Sequence, residues 1–165
     1  MLSLVLSLSL ALAGEPVDLG GPARAFALPT LNSSDPRLVS LYDHAGLGAS
    51  DPHKAVVVHF FRAKAGDDAL AELSRLARKH PDLQVIGIIS DPGGMSAAQA
   101  VVQASMPTFP VLFDEFEVVF GRYGVVQAPL TIVMDGDARV AAMGRTTEAA
   151  WIADLEGIVT GLLQD

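Results

Sequence analysis

Residues 54–69 read Lys54-Ala55-Val56-Val57-Val58-His59-Phe60-Phe61-Arg62-Ala63-Lys64-Ala65-Gly66-Asp67-Asp68-Ala69. The segment Ala55–Phe61 is β-branched and aromatic without polar alternation, the pattern of a central strand covered on both faces. After Gly66-Asp67 the period changes: Leu70, Leu73, Leu76 and Ala77 recur at helical spacing. Asp67 or Asp68 can cap the start of that helix, and His80-Pro81 ends it. Leu83–Ser90 (Leu-Gln-Val-Ile-Gly-Ile-Ile-Ser) is then a second buried strand. A buried strand, a crossover helix and a second buried strand make a parallel pair.

Working outward, Asp91-Pro92-Gly93-Gly94 breaks the second strand, and Ser96–Ala104 reads as a helix capped by Ser96. Val111-Leu112-Phe113 is a short strand, and Phe116–Tyr123 a short helix closed by Gly124. Leu130–Met134 and Arg139–Gly144 form a hairpin around Asp135-Gly136-Asp137. Thr147–Leu163 is the closing helix, with Trp151, Leu155, Ile158, Val159 and Leu162 on one face. Upstream, residues 14–54 are rich in Gly, Pro, Ser and Asp and carry two short apolar pieces, Phe26-Ala27-Leu28 and Leu38-Val39-Ser40-Leu41. The expected architecture is an α/β three-layer sandwich with a mixed central sheet and a C-terminal β-hairpin plus helix. No repeat or linker divides residues 14–165, which read as a single domain.

Composition narrows the function. The chain of 165 residues is half hydrophobic, so it can bury a core, and it carries a net charge of −8. That sign opposes nucleic acid or anionic lipid as a partner. There is no cysteine. Disulfides, thiolate metal sites and a cysteine nucleophile are therefore excluded for this chain. Residues 1–13 are an uncharged Leu, Val, Ser and Ala run ending in Ala11-Leu12-Ala13. This run is shorter than the roughly 20 residues of a membrane span and fits a cleaved signal peptide. The sequence thus predicts an exported protein, periplasmic or extracellular, beginning at Gly14, with no stable membrane anchor.

Several of these pieces together resemble the thioredoxin fold in its redoxin branch. Phe26-Ala27-Leu28-Pro29 with Val39-Ser40-Leu41 resembles that branch's lead-in hairpin, and Lys54–Phe61 its strand feeding the active site. Phe109-Pro110-Val111-Leu112-Phe113-Asp114 and Phe120-Gly121-Arg122-Tyr123-Gly124-Val125 resemble the stretch before the last hairpin. Ala128-Pro129-Leu130-Thr131-Ile132-Val133-Met134-Asp135 resembles the segment carrying the family's cis-proline. The branch includes periplasmic thiol–disulfide oxidoreductases and the alkyl-hydroperoxide-reductase/thiol-specific-antioxidant (AhpC/TSA) peroxiredoxins. Its chemistry needs a thiolate at a helix start, where free amides and the helix dipole lower a thiol pKa from about 8.5. On the oxidoreductase pattern Ala65 and Asp68 stand at the cysteine positions. On the peroxiredoxin pattern Gly66 stands at the threonine, Ala69 at the peroxidatic cysteine and Arg62 at the loop proline. The catalytic positions Ala65, Gly66, Asp67, Asp68 and Ala69 are degenerate, so no catalytic residue is expected. The resemblance also implies a cis Ala128–Pro129 bond and a groove of Lys64, Ala128 and Pro129 for an extended peptide or protein partner.

Other residue types support less. Asp67-Asp68 could form an acid/base pair, but an N-cap beside a second dipole-stabilised acid explains them better. His59 reads as a satisfied core histidine. His44, His53 and His80 are scattered without a His-x-x-x-His pair, so no metal site and no cofactor are expected. Met95, Met106, Met134 and Met143 raise copper handling, but Met134 and Met143 fall in core strands. Arg75, Arg78 and Lys79 read as a solvated basic face. Three functions stay open: a non-catalytic exported binding module, an oxidoreductase or antioxidant altered at the 63–69 turn, and a purely structural domain.

Overall fold

A computed structural model describes residues 16–34, 37–63, 69–145 and 149–164. The run that decided the reading is strand β3, Ala55–Phe61, and all seven of its residues are buried. Numbered along the chain, the other strands are β1 Ala27–Pro29, β2 Leu38–Ser40, β4 Leu83–Ile89, β5 Val111–Phe113, β6 Leu130–Asp135 and β7 Val140–Gly144. The helices are α1 Ala69–Lys79, α2 Gly94–Ser105, α3 Val118–Arg122 and α4 Ala149–Gln164. Five strands form one sheet in the order β5-β4-β3-β6-β7, while β1 and β2 pair separately. β4 lies parallel to β3 and to β5, and β6 and β7 are antiparallel additions on the other side.

Period-2 alternation sends β3 side chains into two cores. Val56, Val58 and Phe60 join Ile86, Ile88, Leu112, Ile132, Phe26, Leu41, Phe120 and Tyr123 on one face. Val57 and Phe61 join Val85, Ile89, Val133 and the apolar faces of α1, α2 and α4 on the other. Burial of each such Val, Leu, Ile or Phe contributes about 1.5–3 kcal/mol. That is why an all-apolar strand settles in the middle of the sheet. The lead-in is tied down by α3: Tyr123 Oη donates to the Arg24 carbonyl at 2.6 Å, and Arg122 Nη1 to that of Ala25 at 3.0 Å.

Two helix starts differ from the sequence expectations, each for a local reason. Helix α2 starts at Gly94 rather than Ser96, and no side chain caps it at Gly93. Instead Asp91 Oδ1 accepts the Gly93 amide at 2.7 Å, forming the turn that launches the helix. Helix α3 starts at Val118 because Glu117, at φ 54°, is left-handed and cannot extend it backwards. Its free amides are taken by Asp114, which accepts from Val118, Val119 and Phe120 at 3.0, 2.8 and 2.9 Å. The turn Asp135-Gly136-Asp137 holds the β6–β7 hairpin as expected, and Asp135 Oδ1 accepts the amides of Asp137 and Arg139 at 3.0 and 2.8 Å. The caps proposed at Asp67 and Asp68 lie outside the described residues.

Candidate functional site

In an open α/β sheet, sites gather beyond the carboxyl ends of parallel strands, where the connections reverse direction. Here that point lies between β3 and β6. The chain leaves β3 through α1 to β4 and β5 on one side, then returns to place β6 on the other. Phe60 pairs with Leu130, so Arg62 and Ala63 emerge beside the start of β6. The Ala128–Pro129 bond at that start is cis. Pro129 is buried and Ala128 partly so.

The polar groups at this edge were not anticipated from sequence, and they come from three strand ends. Arg62 follows β3, and its Nη1 donates to Glu117 Oε1. Ser90 follows β4, and its Oγ donates to the same carboxylate oxygen at 3.2 Å. Arg62 also lies over the Phe120 ring, 5.2 Å from its centroid. The Arg62 hydrogen bond, supported by the charge of Arg62 and by Ser90, holds the Glu117 carboxyl below its ordinary pKa. The same bond raises Arg62. Beside them Asp91 is buried, and its Oδ2 has no hydrogen-bond partner. No spacing links residues 62, 90, 91 and 117. Their one sequence signal is that each sits just past an apolar strand.

Next to this polar group the surface turns apolar. Phe116 is 79% exposed, and Met95, Val118 and Val126 are exposed as well. Met95, Phe116 and Val118 line a groove of about 350 Å³ with Phe26, Leu28 and Phe113. Of the degenerate catalytic positions, Ala69 is described: it opens α1 and is 3% exposed within the core. Lys64, Ala65, Gly66, Asp67 and Asp68 lie outside the described residues.

The AhpC/TSA family profile matches residues 19–161. The chain belongs to the AhpC/TSA family. No curated protein sequence matches this AhpC/TSA chain significantly. Solved structures do. A protein of Chlorobium tepidum assigned as the thiol:disulfide interchange protein DsbE superposes with a TM-score of 0.77 at 22% identity, covering 89% of this chain and 99% of that one. The thioredoxin domain of a thiol-disulfide oxidoreductase of Bacteroides vulgatus gives 0.71 at 19%, covering 89% and 99%. A secreted disulfide oxidoreductase of Mycobacterium tuberculosis, homologous to Escherichia coli DsbE, gives 0.65 at 23%, covering 82% and 95%. At these identities the likeness is one of fold. The AhpC/TSA chain has that fold without a single cysteine.

The remaining candidates resolve as follows. His59 is fully buried, hydrogen-bonded through Nδ1 to Thr131 Oγ1 at 2.9 Å and stacked on Phe61. Met134 is buried and Met143 partly so, whereas Met95 and Met106 are exposed on and after α2, so these four methionines make no common site. The basic face is a charge network: Arg75 bonds Glu72 and Glu156, and Lys79 bonds Glu156. The reading of the histidines as scattered is corrected for two of them. The fold brings His44 and His53 together with Asp51. Among the described residues, no helix is long and apolar enough to cross a membrane.

Proposed function

We propose that this AhpC/TSA domain is a non-catalytic, exported binding module whose partner is an extended apolar segment of another protein. One observation carries the reading: no cysteine occurs anywhere in the chain. The chain has no thiolate, so neither disulfide exchange nor cysteine-based hydroperoxide reduction has a nucleophile. What stands at the reactive edge of the sheet is a closed Arg62–Glu117–Ser90 group beside an exposed apolar surface. Exposed Phe116, Val118 and Met95 present an anchor for apolar side chains, and Arg62 and Glu117 form a polar border to it. Of the groove implied by the family resemblance, the described residues Ala128 and Pro129 are taken as part of the same proposed surface. Export is supported by the apolar run of residues 1–13 and by the secreted character stated for the mycobacterial relative.

The test has two parts. Purified protein is assayed for insulin-disulfide reduction and for hydroperoxide turnover, and both rates should equal the buffer blank. A panel of extended peptides with alternating apolar residues is then titrated by fluorescence anisotropy. Binding should weaken at least tenfold in Phe116→Asp, whose exposed position leaves the circular dichroism spectrum unchanged. Turnover above the blank, or peptide binding indifferent to Phe116→Asp, would overturn the reading. N-terminal sequencing of protein from its native envelope should find Gly14; an intact Met1 contradicts export.

A further inference from the structure

His44, Asp51 and His53 each offer one ligand atom, and the three atoms lie within 4.8 Å of one another. They stand just before β3, at the opposite end of that strand from Arg62, whose seven residues span roughly 20 Å. The cluster is thus separate from the surface proposed for a protein partner. We propose that these three residues form a binding site for a divalent transition-metal ion of the zinc class.

The loop that carries them is tied at several points. His53 N donates to the His44 carbonyl at 2.9 Å and Asp51 N to that of Asp43 at 2.8 Å, drawing residues 44 and 53 side by side. Gly46 N donates to Gly136 O at 2.8 Å, tying the loop to the β6–β7 turn. Gly46 and Gly48 both take left-handed backbone (φ 90° and 85°), which lets ten residues double back over so short a distance.

Within this loop one imidazole is oriented by a backbone hydrogen bond and the other has a buried ring nitrogen. His53 Nδ1 is 2.8 Å from the Asp51 carbonyl oxygen. A carbonyl only accepts, so in the neutral ring Nδ1 carries the proton and Nε2 is the nitrogen that can ligate, the arrangement that orients metal-bound imidazoles. His44 Nδ1 is buried and has no hydrogen-bond partner. Its nearest charged neighbour, Asp51 Oδ2, is 3.5 Å away. Two ligands on one tetrahedral ion at about 2.0–2.1 Å are themselves about 3.3–3.4 Å apart. The His44–Asp51 separation therefore suits a shared ion better than a hydrogen bond between the two. The two imidazole rings meet edge to face with centroids 5.4 Å apart.

The donor set selects the ion. Two imidazoles and one carboxylate fit zinc and its first-row neighbours, whereas calcium and magnesium require oxygen ligands. Three protein ligands leave a further coordination position. His44 and Asp51 also border an open cleft of about 650 Å³ with Asn32, Gln84 and Thr108, so that position faces solvent.

The experiment is isothermal titration of the chelator-stripped full chain with Zn²⁺ alone, backed by the absorption spectrum of the Co²⁺ form. One ion per chain is expected, with Co²⁺ bands of a low-symmetry nitrogen–oxygen site. Asp51→Asn, at a side chain 70% exposed and so harmless to folding, should weaken binding at least tenfold, and His53→Gln likewise. His80→Gln, at a histidine outside the cluster, should bind as the parent does. A stoichiometry below one, or equal affinity in parent, Asp51→Asn and His53→Gln, would overturn the site.

Discussion

His59 Nδ1 and Thr131 Oγ1 share a hydrogen bond of 2.9 Å between two fully buried side chains that face each other across β3 and β6. It is a polar contact inside an otherwise apolar layer, so neither side chain can turn to water if the other is lost. Thr131→Val keeps the β-branched shape and removes the oxygen. We expect a loss of about 1–3 kcal/mol, read as a lower urea midpoint at unchanged slope. An unchanged midpoint would show that the histidine finds an equivalent partner.

Asp114 gathers the amides of Val118, Val119 and Phe120 while itself 2% exposed. Asp114→Ala should cost at least about 2 kcal/mol, since several buried amides are then orphaned at once. Asp114→Asn, which keeps one accepting oxygen, should recover part of that. Equal losses in both variants would mean that side-chain volume, not capping, is what matters.

A Cβ on Gly144 would fall inside the indole of Trp151, which packs α4 onto β7. Gly144→Ala should therefore displace the helix and cost about 1–3 kcal/mol by overpacking. Trp151 is the one tryptophan of the chain, so its fluorescence reports the displacement directly. Emission identical to the parent's would contradict the packing of α4 against β7.

The Glu156 carboxyl is held down to about 2, chiefly by its hydrogen bonds to Lys79 and Arg75. Arg75 likewise lowers Glu72, and Arg62 lowers Glu117. A depressed carboxyl stabilises the fold above its unfolded pKa, and that stabilisation disappears as pH falls through the folded value. The contribution of these carboxyls to stability should thus be level above pH 5 and decline from about pH 4.5 towards 2. The Glu156 contribution is exposed, so 1 M salt should flatten it, and Glu156→Gln should remove it. A decline of the same steepness in Glu156→Gln would place the acid sensitivity elsewhere.

Strands and cores were legible because they depend on runs of residue type. Ala55–Phe61 contains nothing that prefers water except His59, and burial of the whole strand follows from its composition. The hairpin at Asp135-Gly136-Asp137 is equally local, since Asp135 bonds amides two and four residues on. The start of α2 was misread at Ser96 because Ser is a good cap in isolation. Asp91 had already taken the turn amide, and Gly93-Gly94 let the helix begin two residues earlier.

By itself the sequence determined the two-sided sheet, the order of its elements and the absence of a thiol, because apolar runs and a missing residue type are properties of single residues and their neighbours. Only the tertiary structure decided which polar side chains meet. Arg62, Ser90 and Glu117 join because three strand ends share one edge of the sheet. Lys79 and Arg75 meet Glu156 because α1 and α4 pack on the same face. His44 and His53, nine positions apart with no helical or strand period between them, are neighbours through two backbone hydrogen bonds closing their loop. Pairings of this kind depend on where the cores pull the backbone, and no local pattern in the chain encodes them.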